Sequence, residues 1–127
     1  MIVRLLLDTH VFLWLTDGDA RLDNHAKALI DGAERVFVSC ATIWEIAIKV
    51  RLGKLKVDPE QLIAEIWNNG FEELPVISRH AKAVAKLPRH HGDPFDLLLI
   101  AQAINEPLHL LTADAQLAAY SELVVTI

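Results

Sequence analysis

Ile2-Val3-Arg4-Leu5-Leu6-Leu7-Asp8-Thr9-His10 is the stretch that decides the fold. A run that is apolar nearly throughout, without in/out alternation, marks a strand buried on both faces, as in a parallel sheet covered by helices. Asp8 stands where the chain leaves that strand. Similar runs recur over 35–39, 74–77, 107–111 and 123–126, so strands are predicted there and over 2–7. The segments between them carry helical punctuation. A short helix is expected from His10 to Leu15. Asp23 opens a second through Ile30, ending near Gly32, and Ala41 to Leu52 forms a third, stopped by Gly53. Pro59 opens a helix through Trp67, Ser78 one to Leu87, and Asp93-Pro94 one to about Asn105. Strands alternating with helices predict an α/β fold: a three-layer sandwich whose mostly parallel, about five-stranded central sheet is covered by helices.

The 127 residues, 53% hydrophobic and 23% charged, fit a single globular domain over 1–127 and exclude long disorder. No repeat, linker or low-complexity tract divides them. One cysteine, Cys40, excludes an internal disulfide framework and fits a reducing cytoplasm. It lies in an apolar stretch and reads as a buried small hydrophobe. Met1 leads straight into a strand-like run, so neither a signal peptide nor a membrane span is expected. A net charge of -5 argues against coating nucleic acid by bulk charge, but not against gripping a short strand through a local basic patch.

The chemistry lies in four carboxylates beside apolar runs. Asp8 ends the first strand, Glu45 interrupts Ile43-Trp44 and Ile46-Ala47-Ile48, Asp96 heads Leu97-Leu98-Leu99, and Asp114 follows Leu108 to Thr112. Ionised acids in such surroundings are costly unless a positive charge meets them. Each has an ordinary explanation. Asp8 suits an N-cap, although Thr9 serves as readily. Glu45 and Lys49 stand at i,i+4 spacing. Asp93-Pro94-Phe95-Asp96 is a helix start, and Asp114 can cap Ala115 to Tyr120. Jointly these explanations fare worse, because all four acids fall at the edge where the predicted strands end, and ligands bind there in open α/β sheets.

Acids gathered at one spot repel, and a divalent cation with oxygen ligands is the usual remedy. Zinc would want Cys and His at set spacing, whereas one Cys and six scattered His, with His90 and His91 adjacent, do not supply it. Carboxylates alone select Mg²⁺ or Mn²⁺. No glycine-rich phosphate loop is present, which argues against a nucleotide hydrolase. Arg79, Lys82 and Lys86 share one face of the predicted Ser78–Leu87 helix, and Arg89 follows it. They read either as a solvated face or as phosphate contacts along a strand entering the acidic pocket. Arg51, Lys54 and Lys56 form a second basic group.

These residues together resemble the PIN-domain ribonucleases, and more closely the VapC-type toxins of toxin–antitoxin pairs. The resemblance is carried by Leu7-Asp8-Thr9-His10-Val11-Phe12-Leu13-Trp14, Ser39, Trp44-Glu45-Ile46-Ala47-Ile48-Lys49 and Leu52-Gly53-Lys54-Leu55. It continues through Leu87-Pro88, His91, Asp93-Pro94-Phe95-Asp96, Leu99-Ile100-Ala101-Gln102-Ala103, Thr112, Asp114 and Tyr120. It implies a PIN-like fold that binds Mg²⁺ or Mn²⁺ and cuts RNA. Asp8, Glu45, Asp96 and Asp114 match the family's metal-holding and catalytic acids. Thr9, Ser39 and Thr112 match polar pocket residues, and Asp93 reads as helix cap and pocket neighbour. It further implies a small VapB-like antitoxin seated in a groove, with Phe12, Trp14 and Trp44 as candidate contacts, and a homodimer. Gly92 stands where relatives often carry Arg, the tail lacks their closing Trp, and Ala113-Asp114-Ala115 carries less charge than theirs.

Rival readings are a catalytically silent PIN-like binding module, a housekeeping RNA-processing nuclease and a phospho-acceptor receiver domain. The receiver needs paired acids after its first strand and an acceptor Asp ending its third. Here Asp8 is followed by Thr9, and the third predicted strand ends Val76-Ile77-Ser78.

Overall fold

The computed structural model describes residues 4–90 and 92–127. Ile2 and Val3 of the first predicted strand, and His91, lie outside the described residues. The elements follow in the order β1 Arg4–Leu7, α1 Thr9–Asp17, α2 Asn24–Gly32, β2 Arg35–Ser39, α3 Cys40–Arg51 and α4 Pro59–Asn68. Then come β3 Glu72–Leu74, α5 Ser78–Ala83, α6 Pro94–Asn105, β4 His109–Thr112 and β5 Val124–Thr126. The strands form one five-stranded sheet in the order β3-β2-β1-β4-β5. Every pairing is parallel. The expected mostly parallel sheet is therefore parallel throughout the described residues.

The apolar strands bury both their faces. Leu5, Leu7, Val36 and Val38 pack with Val11, Phe12, Ala26, Ile30, Ile46 and Ile66 on one side. Leu6, Phe37 and Leu110 pack with Leu99, Ile100 and Ala103 of α6 on the other. Helices thus cover both faces, which is the three-layer sandwich. No helix among the described residues is long and apolar enough to cross a membrane.

Several boundaries move from their expected places. The third strand is Glu72–Leu74 rather than 74–77, because Pro75 has no N–H to give the ladder. The fourth begins at His109, beyond Pro107. The expected Ser78–Leu87 helix stops at Ala83 and tightens into a 3₁₀ turn over Val84–Lys86. Cys40 is half-buried, not buried, and its Sγ accepts the Val76 N–H at 3.2 Å.

This topology prepares an edge for chemistry. From β1 the chain steps outward to β2 and β3, then crosses back to lay β4 on the other flank of β1, so strand order reverses between β1 and β4. A crevice outside the carboxyl ends of the strands opens at such a point. Leu7 pairs with Val38 on one side and Leu111 on the other. The next rung therefore sets Ser39, Asp8 and Thr112 in a row where the apolar runs end.

Candidate active site

Asp8 is a buried acid at this edge, 5% exposed. Its backbone N–H still donates to Leu111 O at 3.0 Å, so the residue is fixed as the last member of the sheet. Its side chain does two jobs. Oδ1 accepts the Val11 N–H at 2.9 Å and caps α1, while Oδ2 accepts the Thr112 hydroxyl at 2.5 Å. The cap of α1 is thus Asp8 itself and not Thr9. Burial pushes the Asp8 carboxyl above its ordinary value of 3.8, and the Glu45 charge adds to the rise. The Thr112 and Val11 hydrogen bonds and the nearby His10 oppose it. Among the described residues no lysine or arginine forms an ion pair with Asp8.

Thr9 is freed from capping and turns to Glu45. Its Oγ1 donates to Glu45 Oε1 at 2.7 Å and lies 3.2 Å from Thr42 Oγ1. All three side chains are buried. Glu45 Oε2 faces Lys49 Nζ at 2.8 Å, with the glutamate side chain 8% exposed. The i,i+4 pair exists, then, with its glutamate end shielded from water and its lysine end partly open. Ser39, fully buried, caps α3 by accepting the Ala41 N–H at 3.0 Å.

The remaining acids stand at the same edge. Helix α6 leads at its C-terminus into the start of β4, so its N-terminus lies where the strands end. Asp93 caps it, accepting from Phe95 N at 2.8 Å and Asp96 N at 3.2 Å. Asp96 sits in the first turn, half-buried, where the helix dipole favours an anion. The Trp44 and Phe95 rings meet edge to face at 5.2 Å, tying the start of α3 beside Glu45 to the start of α6 beside Asp96. Thr112 Oγ1, which donates to Asp8, accepts the Asp114 N–H at 3.1 Å. Asp114 in turn caps the 3₁₀ turn Ala115–Tyr120 through Gln116 N at 3.0 Å.

Three of these acids cap helices or turns; Asp8, Glu45 and Asp114 are linked through Thr9 and Thr112, and the start of α6 is tied to α3 through Trp44 and Phe95. Among the described residues no three Asp, Glu, His or Cys side chains gather into a metal cage. The donor set is nonetheless the kind a hard divalent cation takes. It consists of carboxylate and hydroxyl oxygens, and the Asp8 carboxylate among them is met by neutral donors and raised chiefly by burial.

The basic residues are placed less uniformly. Arg79 donates to Asn105 O at 3.0 Å and Glu106 Oε2 at 3.1 Å, at the far end of α6 from Asp96. Nine residues of helix, roughly 14 Å, separate those ends. Lys82, Lys86 and Arg89 are exposed. Of the three aromatics considered for a partner, Phe12 is core, Trp14 lines an open groove of about 800 Å³, and Trp44 is 60% exposed against Phe95. That groove, bounded by α1, α4 and the 52–58 segment, also takes in His10, Lys49, Lys54 and Lys56.

Sequence reasoning missed Thr42, whose placement three residues before Glu45 on α3 was the available signal. It also missed the buried His80, whose Nε2 lies 2.6 Å from Glu106 Oε2, a pairing of residues 26 apart that leaves no local mark.

Comparison with known proteins agrees with this architecture. Residues 5–123 match the PIN domain family model. Ribonuclease VapC22 of Mycobacterium tuberculosis is 28% identical over 122 residues, covering 91% of each chain. In fold, the chain is similar to a DNA-bound VapBC structure from Salmonella typhimurium, with a TM-score of 0.69 at 16% identity, over 99% and 98% of the two chains. A toxin–antitoxin complex from Klebsiella pneumoniae gives 0.67 at 20% identity, over 96% of each. With the match running from β1 to the start of the last strand, this chain belongs to the PIN domain family.

Proposed function

We propose that this PIN domain is a metal-dependent endoribonuclease and the toxin of a type II toxin–antitoxin system, acting in the cytoplasm. Asp8, Glu45, Asp96 and Asp114 are the residues that would hold Mg²⁺ or Mn²⁺, with Thr9, Ser39, Thr112 and Asp93 fixing their geometry. The observation that carries this reading is Asp8, a buried carboxylate at the strand-order reversal, met by neutral donors and facing the charge of Glu45. A bound divalent ion supplies Lewis acidity toward water and phosphate oxygens.

The chain's own residues do the rest. Thr112 and Val11 hold the Asp8 oxygens in one orientation, and a carboxylate whose proton affinity is raised by burial is the better acceptor for a water proton. Thr9 and Thr42 fix the Glu45 arm. Lys82, Lys86 and Arg89 supply exposed positive charge for the RNA backbone. The groove beside Trp14 takes a segment of a VapB-like antitoxin, and the toxin acts as a homodimer. The complexes of similar fold, VapBC and the toxin–antitoxin complex, are the support for the partner.

Labelled RNA incubated with the purified protein and Mg²⁺ or Mn²⁺ is cut, and a chelator stops the cutting. Asp96→Asn is inactive while its circular dichroism is unchanged. Wild-type cleavage by that folded variant overturns the site, and metal-independent cleavage overturns the cofactor. A silent binding module is the second reading, favoured by the capping roles of Asp8, Asp93 and Asp114, and it predicts no cleavage under any condition.

A further inference from the structure

Asp8 and Glu45 are unequal. Asp8 meets an amide and a hydroxyl, both neutral. Glu45 has both oxygens engaged, and one of its partners is a cation: Thr9 donates to Oε1 and Lys49 Nζ stands 2.8 Å from Oε2. The lysine side chain is 34% exposed against 8% for the glutamate, so the ammonium lies on the open side of the pair. Lys49 also lines the groove, beside His10. One positive charge thus stands between the acidic edge and the open groove.

We propose that Lys49 is the resident counter-charge of the acidic site: it holds Glu45 Oε2 until a divalent cation displaces it, and the freed ammonium then contacts an RNA phosphate at the groove mouth. The inference rests on the metal-holding role proposed for Asp8 and Glu45. Two neighbouring carboxylates in a dry site repel, and a single charge on a flexible stem relieves that repulsion without filling the site. Among the described residues a dication would displace no ammonium or guanidinium at Asp8. It gains Glu45 only by outcompeting one ammonium, which it does by its second charge. The four-carbon stem lets the ammonium swing toward the groove, whereas a guanidinium fork would clamp the carboxylate. Lys49 is in this sense a positioning residue for Glu45 and a contact for substrate.

The test is Mn²⁺ binding to the purified full chain, read from the electron paramagnetic resonance of free Mn²⁺. Lys49→Met keeps the apolar stem and removes the charge, and it binds Mn²⁺ about tenfold more tightly than wild type. In a Glu45→Gln background the same change gives no tightening. At saturating Mn²⁺, Lys49→Met raises the KM for RNA several-fold more than it lowers kcat. Equal or weaker Mn²⁺ binding by Lys49→Met, tightening that persists without Glu45, or an unchanged KM overturns the proposal. Asp8→Asn in the same titration separates the two readings. If it leaves wild-type Mn²⁺ affinity intact, the metal site itself is misplaced. If it weakens binding while Lys49→Met does not tighten it, only the role of Lys49 falls.

Discussion

Two carboxylates at opposite ends of the molecule are handled in opposite ways. Glu106, just past the C-terminus of α6, receives His80 Nε2 at 2.6 Å and Arg79 at 3.1 Å. The Ile77 N–H donates to His80 Nδ1, so Nε2 carries the proton that Glu106 accepts. The His80 hydrogen bond, with the Arg79 charge behind it, holds the Glu106 carboxyl below its ordinary range despite partial burial. Asp8, at the carboxyl edge of the sheet, is more deeply buried, is met by neutral donors, and is pushed up. The fold evidently can supply a partly buried acid with a cation. That it does so for Glu106 and gives Asp8 an amide and a hydroxyl is the contrast behind reading the first as a staple and proposing the second as a site.

The largest effect expected from breaking this contrast is on chemistry. Asp8→Asn lowers RNA cleavage by at least about a hundredfold in single-turnover assays, whereas Glu106→Ala leaves the rate per folded molecule near wild type. Loss of cleavage in both, with both folded, would erase the distinction between staple and site.

Stability moves the other way. Glu106→Ala strips the acceptor from the buried His80 N–H and costs about 1–3 kcal/mol in urea titration. Asp8→Asn keeps an acceptor for the Val11 N–H, removes a buried charge, and raises Tm of the metal-free protein by about 2–5 °C at neutral pH. A fall in Tm on Asp8→Asn would mean that the carboxylate is retained for the fold.

The pH dependences carry the same signs. A lowered carboxyl adds stability that is present above its unfolded value, 4.5 for Glu106, and is lost as pH falls through the lower folded value. A raised carboxyl does the reverse. Asp8 adds stability fully present below 3.8 and lost as pH rises through its raised folded value. In metal-free protein, Asp8→Asn therefore flattens the loss above pH 4, and Glu106→Gln flattens the loss below about 4.5. Melting temperatures across acid to neutral buffers read both slopes, and identical profiles in the two variants would refute the assignment.

The edge was legible because its signals are local. Three of the apolar runs give way to a polar residue at this edge, at Leu7-Asp8, Val38-Ser39 and Leu111-Thr112, and Asp93-Pro94 announces its helix start. What the sequence hides lies in long-range packing. The spacing of Glu45 and Lys49 is visible in the sequence, but the hydrogen bond from Thr9 on α1 that fixes the other Glu45 oxygen is not. Arg79 read as one of three basic residues on a helix face. Its engagement with Glu106 depends on where α6 ends, 27 residues later. The third strand was displaced because an edge strand carrying Glu72 and Glu73 is too polar for an apolar-run criterion.

The smallest effect sharpens the boundary of the site. Trp44 is 60% exposed and touches the Phe95 ring edge to face at 5.2 Å. Its removal uncovers little apolar surface, and an edge-to-face pair contributes about 0.5–1.5 kcal/mol. Trp44→Ala therefore lowers stability by no more than about 1.5 kcal/mol in the same urea titration. Because the pair links the start of α3 to the start of α6, the variant also tests whether Glu45 and Asp96 depend on each other's placement. A double-mutant cycle with Phe95→Ala, read as Mn²⁺ affinity, shows coupling if the aromatic contact sets their spacing. Strict additivity would mean that the strand ends position the acids without help from the rings.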